Sequence, residues 1–199
     1  MRAFPGVKSV REMASFAVGA SPDASAELGA LFLKHGKAGL DHHLLYGHIL
    51  GARRREELRV LHVGLGDHPG ASLRAFRDFL PRSLLYGTDS DKRRLFEEER
   101  IKTHFVDQAD TSTFEALALE LGSTSFDLVI DDGLHSPDAN LATLIFALKR
   151  IRSMGWIVIE GVRESSLPLW HVISTILPAG YARAVVSGQG GYLFVVQRH

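Results

Sequence analysis

FDLVIDDGLH, Phe126 to His135, decides how this chain is read. Four of its first five residues are apolar, and they run into Asp131 and Asp132, then Gly133 and His135. A short apolar run bounded by polar residues reads as a buried strand. Such a strand does not end in adjacent carboxylates without a use for the charge, because unpaired buried charge is costly. In open α/β sheets, ligands bind beyond the carboxyl ends of the parallel strands. A cluster placed there offers two acids and a candidate base within five residues.

Outward from this stretch, strand, turn and helix alternate. LRVLHVG (58–64) opens into the glycine-containing turn of GLGDHPGASLRAF. SLLYGTD (83–89) and IKTHFVD (101–107) are further strands, each ending in an acid. TSTFEALALEL, PDANLATLIFALKRI and SLPLWHVISTIL read as helices, and GWIVIEG (155–161) as the fifth strand. ARAVVS and GYLFVVQ flank Gly188-Gln189-Gly190-Gly191, a hairpin signal. The alternation predicts an α/β fold: a mostly parallel sheet with helices on both faces, closed by a C-terminal antiparallel hairpin. Residues 8–50 read as helical, with Leu28, Leu31 and Phe32 at helix-like spacing. The expected division is an N-terminal helical lid or appendage over 1–52 and one compact α/β domain over 53–199.

The 199 residues carry 23 basic and 23 acidic side chains. That balance gives no reason to expect a nucleic-acid partner. The absence of cysteine excludes disulfides, thiol catalysis and zinc-thiolate sites. The opening MRAFPGVKSVREMASF lacks the apolar core of a signal peptide, and no apolar run is long enough to span a bilayer. A cytoplasmic location without membrane contact is the expectation.

Gly64 and Gly66 follow the first strand, where missing side chains let backbone approach a ligand and the next helix offers its amides. A tight structural turn explains them equally well. Pro69 stands where a dinucleotide fingerprint would have its third glycine. Asp89 ends the next strand and can accept hydrogen bonds from ribose hydroxyls. NAD and S-adenosylmethionine both carry such a ribose, so Asp89 does not discriminate between them. Asp107-Gln108 suits the exchangeable hydrogens of an adenine ring, or simply starts a polar loop. Asp131 suits the amino group of an amino-acid ligand. If the fourth and fifth strands are neighbours, Asp132 and Glu160 could face one divalent cation, and oxygen ligands suit magnesium. His135 is then the candidate general base, since imidazole titrates near neutral pH. His42 and Tyr46 share a helix face and either shape a pocket or pack as ordinary core. His62, inside a strand, reads as buried packing.

Together these residues resemble a subgroup of the class I S-adenosylmethionine (SAM) methyltransferases. The subgroup includes metal-dependent macrolide-sugar O-methyltransferases of the mycinamicin and tylosin type and cephalosporin hydroxylase-like proteins. LHVGLGDHPGASL, YGTD, RIKTHFVDQ, IDDGLH and VIEG carry the resemblance from Leu58 to Glu160, with a weaker echo in GKAGLDHHLLY. It implies a Rossmann-like, seven-stranded sheet in the order 3-2-1-4-5-7-6. It also implies SAM held by Gly64, Gly66, Ser72, Asp89, Asp107, Gln108 and Asp131. Magnesium on Asp132 and Glu160, His135 as base, and a hydroxyl acceptor on a small, glycosylated natural product follow from it too, as does association into homo-oligomers through N-terminal helices. Two positions depart from the pattern. His62 replaces a glutamate, and Gly161 replaces an aspartate that would supply a further metal ligand. Those departures motivate a rival reading, a SAM-fold protein that has lost or changed methyl transfer. The third reading is an NAD-linked oxidoreductase.

Overall fold

The computed structural model describes residues 10–16, 22–37 and 41–199. In chain order they form β1 (Val10–Glu12), α1 (Pro22–Lys34), α2 (His42–Leu50), β2 (Arg59–Val63), α3 (Ala71–Phe79), β3 (Leu84–Asp89), β4 (Glu97–Glu98) and β5 (Ile101–Phe105). There follow α4 (Thr111–Leu121), β6 (Phe126–Asp131), α5 (Pro137–Leu148), β7 (Ile151–Val162), α6 (Leu167–Ile176), β8 (Tyr181–Gly188) and β9 (Gly191–Arg198).

The strands make one sheet in the order β1-β8-β9-β7-β6-β2-β3-β5-β4. β2, β3, β5, β6 and β7 run parallel, and β9 lies antiparallel between β7 and β8. Read as the expected seven strands, this is the order 3-2-1-4-5-7-6. The count differs: the sheet has nine strands among the described residues. β1 extends one edge beside β8, and β4 the other beside β5. Val10–Glu12 fell in a stretch read as helical, but at three residues its pattern cannot separate strand from helix. Pairing with the open edge of β8 decides it, because that edge supplies the backbone partners. β7 also starts earlier than expected, at Ile151, because Ile151 pairs with Phe126. A bulge then passes through Met154, whose φ is 62°.

Helices cover both faces, so the central strands need no polar face. All six residues of β6 are buried. The pleat sends neighbours to opposite sides. Val60, Leu128 and Val158 pack under Leu28, Phe32, Leu45, Leu73 and Phe76 of α1, α2 and α3. Leu61, Val129 and Ile157 pack under Phe114, Leu117, Leu144, Trp170 and Ile173 of α4, α5 and α6. The two N-terminal helices thus share a core with the sheet. No helix among the described residues is long and apolar enough to cross a membrane.

The crossing of α1 and α2 depends on Gly47. A Cβ there would strike Ser25 Oγ and lie 2.7 Å from the Ser25 backbone nitrogen. Backbone cannot yield as a flexible side chain does, so overpacking falls on the helix pair itself. Gly47→Ala is expected to cost about 1–3 kcal/mol. Urea denaturation checks this; a midpoint equal to that of the unsubstituted chain would show that the helices can part freely.

Candidate active site

The carboxyl ends of β2, β3 and β6 meet at a cleft of about 240 Å³. Its lining includes Gly64, Gly66, Thr88, Asp89, Gln108 and Asp132. Gly64 takes φ 90° and Gly66 φ 68°, a region favouring glycine. A Cβ on Gly64 would fall on the carbonyl oxygen of Asp132 and 2.7 Å from Gly133 Cα. Bare backbone at this position therefore lets the turns after β2 and β6 touch. The Asp89 carboxylate accepts from Leu65 N at 3.0 Å and Asp91 N at 2.8 Å, which fixes its direction at the strand end. The Thr88 hydroxyl is buried with no partner within the chain, an unfilled hydrogen-bonding capacity on the cleft wall. Arg94, which the sequence reading did not single out, donates to the Gly66 carbonyl at 3.1 Å and lines the same cleft. A larger hollow of about 410 Å³ lies by Ser125 and Arg150, at the amino ends of β6 and β7. It is thus away from the edge where parallel sheets hold ligands.

Not every candidate residue points into the cleft. Ser72 sits in the first turn of α3, outside the cleft lining. Asp107 accepts from Ala109 N at 3.0 Å, tying its own turn. Gln108 holds the floor together. Its amide nitrogen donates to Asp131 at 2.9 Å and Thr143 at 2.8 Å, and its oxygen accepts from Leu134 N at 2.9 Å. Asp131 is fully buried and also accepts from Asn140 at 3.0 Å and Gly133 N at 3.2 Å. Burial raises its pKa, and the hydrogen bonds from Asn140 and Gln108 oppose that rise.

Asp132, His135 and Glu160 come together because β6 and β7 are neighbours with Asp131 opposite Ile159. His135 has φ 51°, uncommon for a residue with a side chain. That turn lays its Nδ1 3.3 Å from the Glu160 carbonyl and its Nε2 3.6 Å from Asp132 Oδ1. Both ring nitrogens thus face acceptors, and the tautomer with its proton on Nδ1 is the one that leaves a lone pair on Nε2. Gly161 completes the fit: a Cβ there would overlap His135 Nδ1.

The remaining partners come from the N-terminal segment. The Lys37 ammonium lies 2.9 Å from Asp132 Oδ2. His42 Nδ1 lies 3.0 Å from Glu160 Oε2, and the Tyr46 hydroxyl donates to Glu160 Oε1. His42 and Tyr46 are thus buried core residues whose Nδ1 and hydroxyl face one carboxylate, while His42 Nε2 has no hydrogen-bond partner among the described residues. Burial works against charge on Glu160, but Lys37 and His42 outweigh it and hold the carboxyl below its usual range. Burial likewise opposes the Lys37 charge, and Glu160 and Asp132 outweigh it, so its pKa is raised. Burial and the Glu160 charge together push the Tyr46 phenol well up. His62 is buried, as its strand position suggested, with Nδ1 2.8 Å from the Gly64 carbonyl; burial lowers its pKa.

The donor set does not fit magnesium as it stands. Both Glu160 oxygens are already engaged, Asp132 faces an ammonium, and position 161 has no carboxylate. Among the described residues, no group of three or more His, Asp or Glu is arranged to hold a metal ion.

Among solved structures, the chain is similar to the MycE methyltransferase of the mycinamycin biosynthetic pathway, solved with Mg, S-adenosylhomocysteine and mycinamycin VI. The TM-score is 0.70 at 27% identity, covering 86% of this chain and 53% of that one. The fold is that of the class I methyltransferases. Among curated proteins, this methyltransferase-fold chain is 39% identical over 120 residues to demethylmacrocin O-methyltransferase of Streptomyces fradiae, covering 58% of this chain and 30% of the relative. It is 31% identical over 160 residues to a tetracenomycin rhamnosyl 3'-O-methyltransferase of Streptomyces olivaceus, covering 76% of this chain and 40% of the relative. The chain spans less than half the length of either curated relative and about half of MycE. No family model matches it.

Proposed function

We propose that the chain is a SAM-dependent O-methyltransferase acting on a hydroxyl group of a small-molecule natural product, with a glycosylated secondary metabolite as the favoured acceptor. The observation that carries the reading is the His135 ring. Its Nδ1 is tied to the Glu160 carbonyl, and its Nε2 lies beside Asp132, which lines the cleft shared by Gly64 and Asp89. The named actions of the relatives, O-methylation of demethylmacrocin and of a rhamnosyl tetracenomycin, support the acceptor class.

SAM supplies an electrophilic methyl group on its sulfonium. Asp89 suits the ribose hydroxyls, and the backbone at Gly64 and Gly66 permits close approach. The buried Thr88 hydroxyl offers a further polar contact. His135 Nε2 takes the acceptor's hydroxyl proton as the oxygen attacks, and Asp132 steadies the imidazolium that forms. Positioning in the cleft and a fixed electrostatic environment supply most of the acceleration.

Calorimetric titration of the purified chain with SAM is expected to give saturable binding. No heat of binding at millimolar SAM would overturn the reading. Added NADH is expected to give no energy transfer from Trp156 or Trp170; transfer would favour the oxidoreductase instead. A chain that binds SAM but forms no S-adenosylhomocysteine across a broad acceptor panel would be a ligand-binding descendant of the fold.

A further inference from the structure

The carboxylates of Asp132 and Glu160 converge at the ends of two neighbouring parallel strands, and Glu160 is 1% exposed. Buried negative charge requires a positive partner with good geometry. The chain supplies one 95 residues upstream of Asp132: the Lys37 ammonium, 2.9 Å from Asp132 Oδ2. Lys37 also lies 5.7 Å from the centre of the Phe32 ring, so a second face of the cation is occupied. We propose that Lys37 is the resident cation of this site, an internal ammonium that replaces a divalent ion between Asp132 and Glu160.

Three features support this beyond proximity. Magnesium demands near-octahedral oxygen ligation, yet Tyr46 and His42 already engage the two Glu160 oxygens. The third carboxylate is missing at Gly161, and the space beside it is filled by the His135 ring. A magnesium ion would therefore have to displace Lys37 and unpick Glu160 from two buried partners. Lys37 also lines a hollow of about 510 Å³ beside Phe32, Asp41 and His43. An ammonium has three donors. One on Asp132 leaves others to hold an acceptor oxygen near His135, the task a metal would have performed. This second, catalytic half rests on the methyl-transfer reading; the charge-replacement half does not.

Electron paramagnetic resonance with Mn²⁺ tests the replacement without any turnover. The free Mn²⁺ signal is expected to keep its full intensity when the unsubstituted chain is added. Stoichiometric uptake by the unsubstituted chain would overturn the proposal, whatever any variant does. Lys37→Met, and Lys37→Gln as a second variant that keeps a polar group, are expected to bind Mn²⁺ at least about tenfold more tightly. The reason is that a unit charge leaves the immediate neighbourhood of the ligand oxygens. Folded variants with no gain would show that Lys37 is not what occupies the site. In the catalytic arm, turnover of the unsubstituted chain is expected to survive a chelator, and chelator-sensitive turnover overturns the proposal. An absence of turnover with every acceptor defeats the methyl-transfer reading alone, since the Mn²⁺ result still stands.

Discussion

His135→Ala is expected to lower turnover by about 10²–10⁴-fold, the usual contribution of a positioned general base, while SAM affinity is unchanged. The separation follows from geometry. His135 is held from behind, through Nδ1 and the Glu160 carbonyl, and its Nε2 lies beside Asp132. The donor's candidate contacts, Gly64 and Gly66 in the turn after β2 and Asp89 at the end of β3, stand elsewhere. Removing the ring therefore removes a proton acceptor and leaves the donor's cradle intact. His135→Gln is the companion variant, since an amide fills similar space and cannot take the proton. Calorimetry with SAM and initial rates with one accepted hydroxyl substrate give the two readouts. Undiminished turnover in either variant would remove His135 from the mechanism. A parallel fall in SAM affinity would make it a structural residue of the turn.

Gly64→Ala is expected to abolish SAM binding and to destabilise the chain by about 2–5 kcal/mol. This combines the penalty for a side chain in the left-handed region with overpacking against a neighbour. At φ 90° the position favours glycine, and a Cβ would overlap the carbonyl oxygen of Asp132. Neither obstacle is a flexible side-chain tip. Relief would push the turn after β6 away from β2 and carry Asp132 and Gly133 with it, opening the cleft floor. Denaturant unfolding and SAM calorimetry report the two parts. Unchanged stability together with unchanged affinity would show that the turns are not in contact in solution.

The strand-ending acids were legible because a parallel α/β sheet gathers its carboxyl ends on one edge. That topology follows from a repeating local pattern. Asp131, Asp132 and His135 were found by the same logic, since a charge pair closing an apolar run is a local anomaly. The short edge strands β1 and β4 were not legible. Two or three residues carry no periodicity, and only an open neighbouring edge makes them strands. Arg94 and Thr88 were missed because nothing in their immediate sequence marks a carbonyl or cleft wall elsewhere. For His42 and Tyr46 the sequence left pocket and core as alternatives. The structure places both in the core, where the buried Glu160 carboxylate on β7 gives them a polar task.

By itself, the amino-acid sequence determined the seven principal strands, their parallel and hairpin character, and which edge of the sheet gathers the acidic residues. Those properties depend on hydrophobic period and turn residues, which act over a few neighbours. Only the tertiary structure decided what partners the carboxylates have. Lys37 reaches Asp132 across 95 residues, and Tyr46 reaches Glu160 across 114. Pairings at such separations are set by how α1 and α2 pack over the sheet. A buried charge selects whichever opposite charge or donor that packing delivers, and no spacing in the chain encodes the choice.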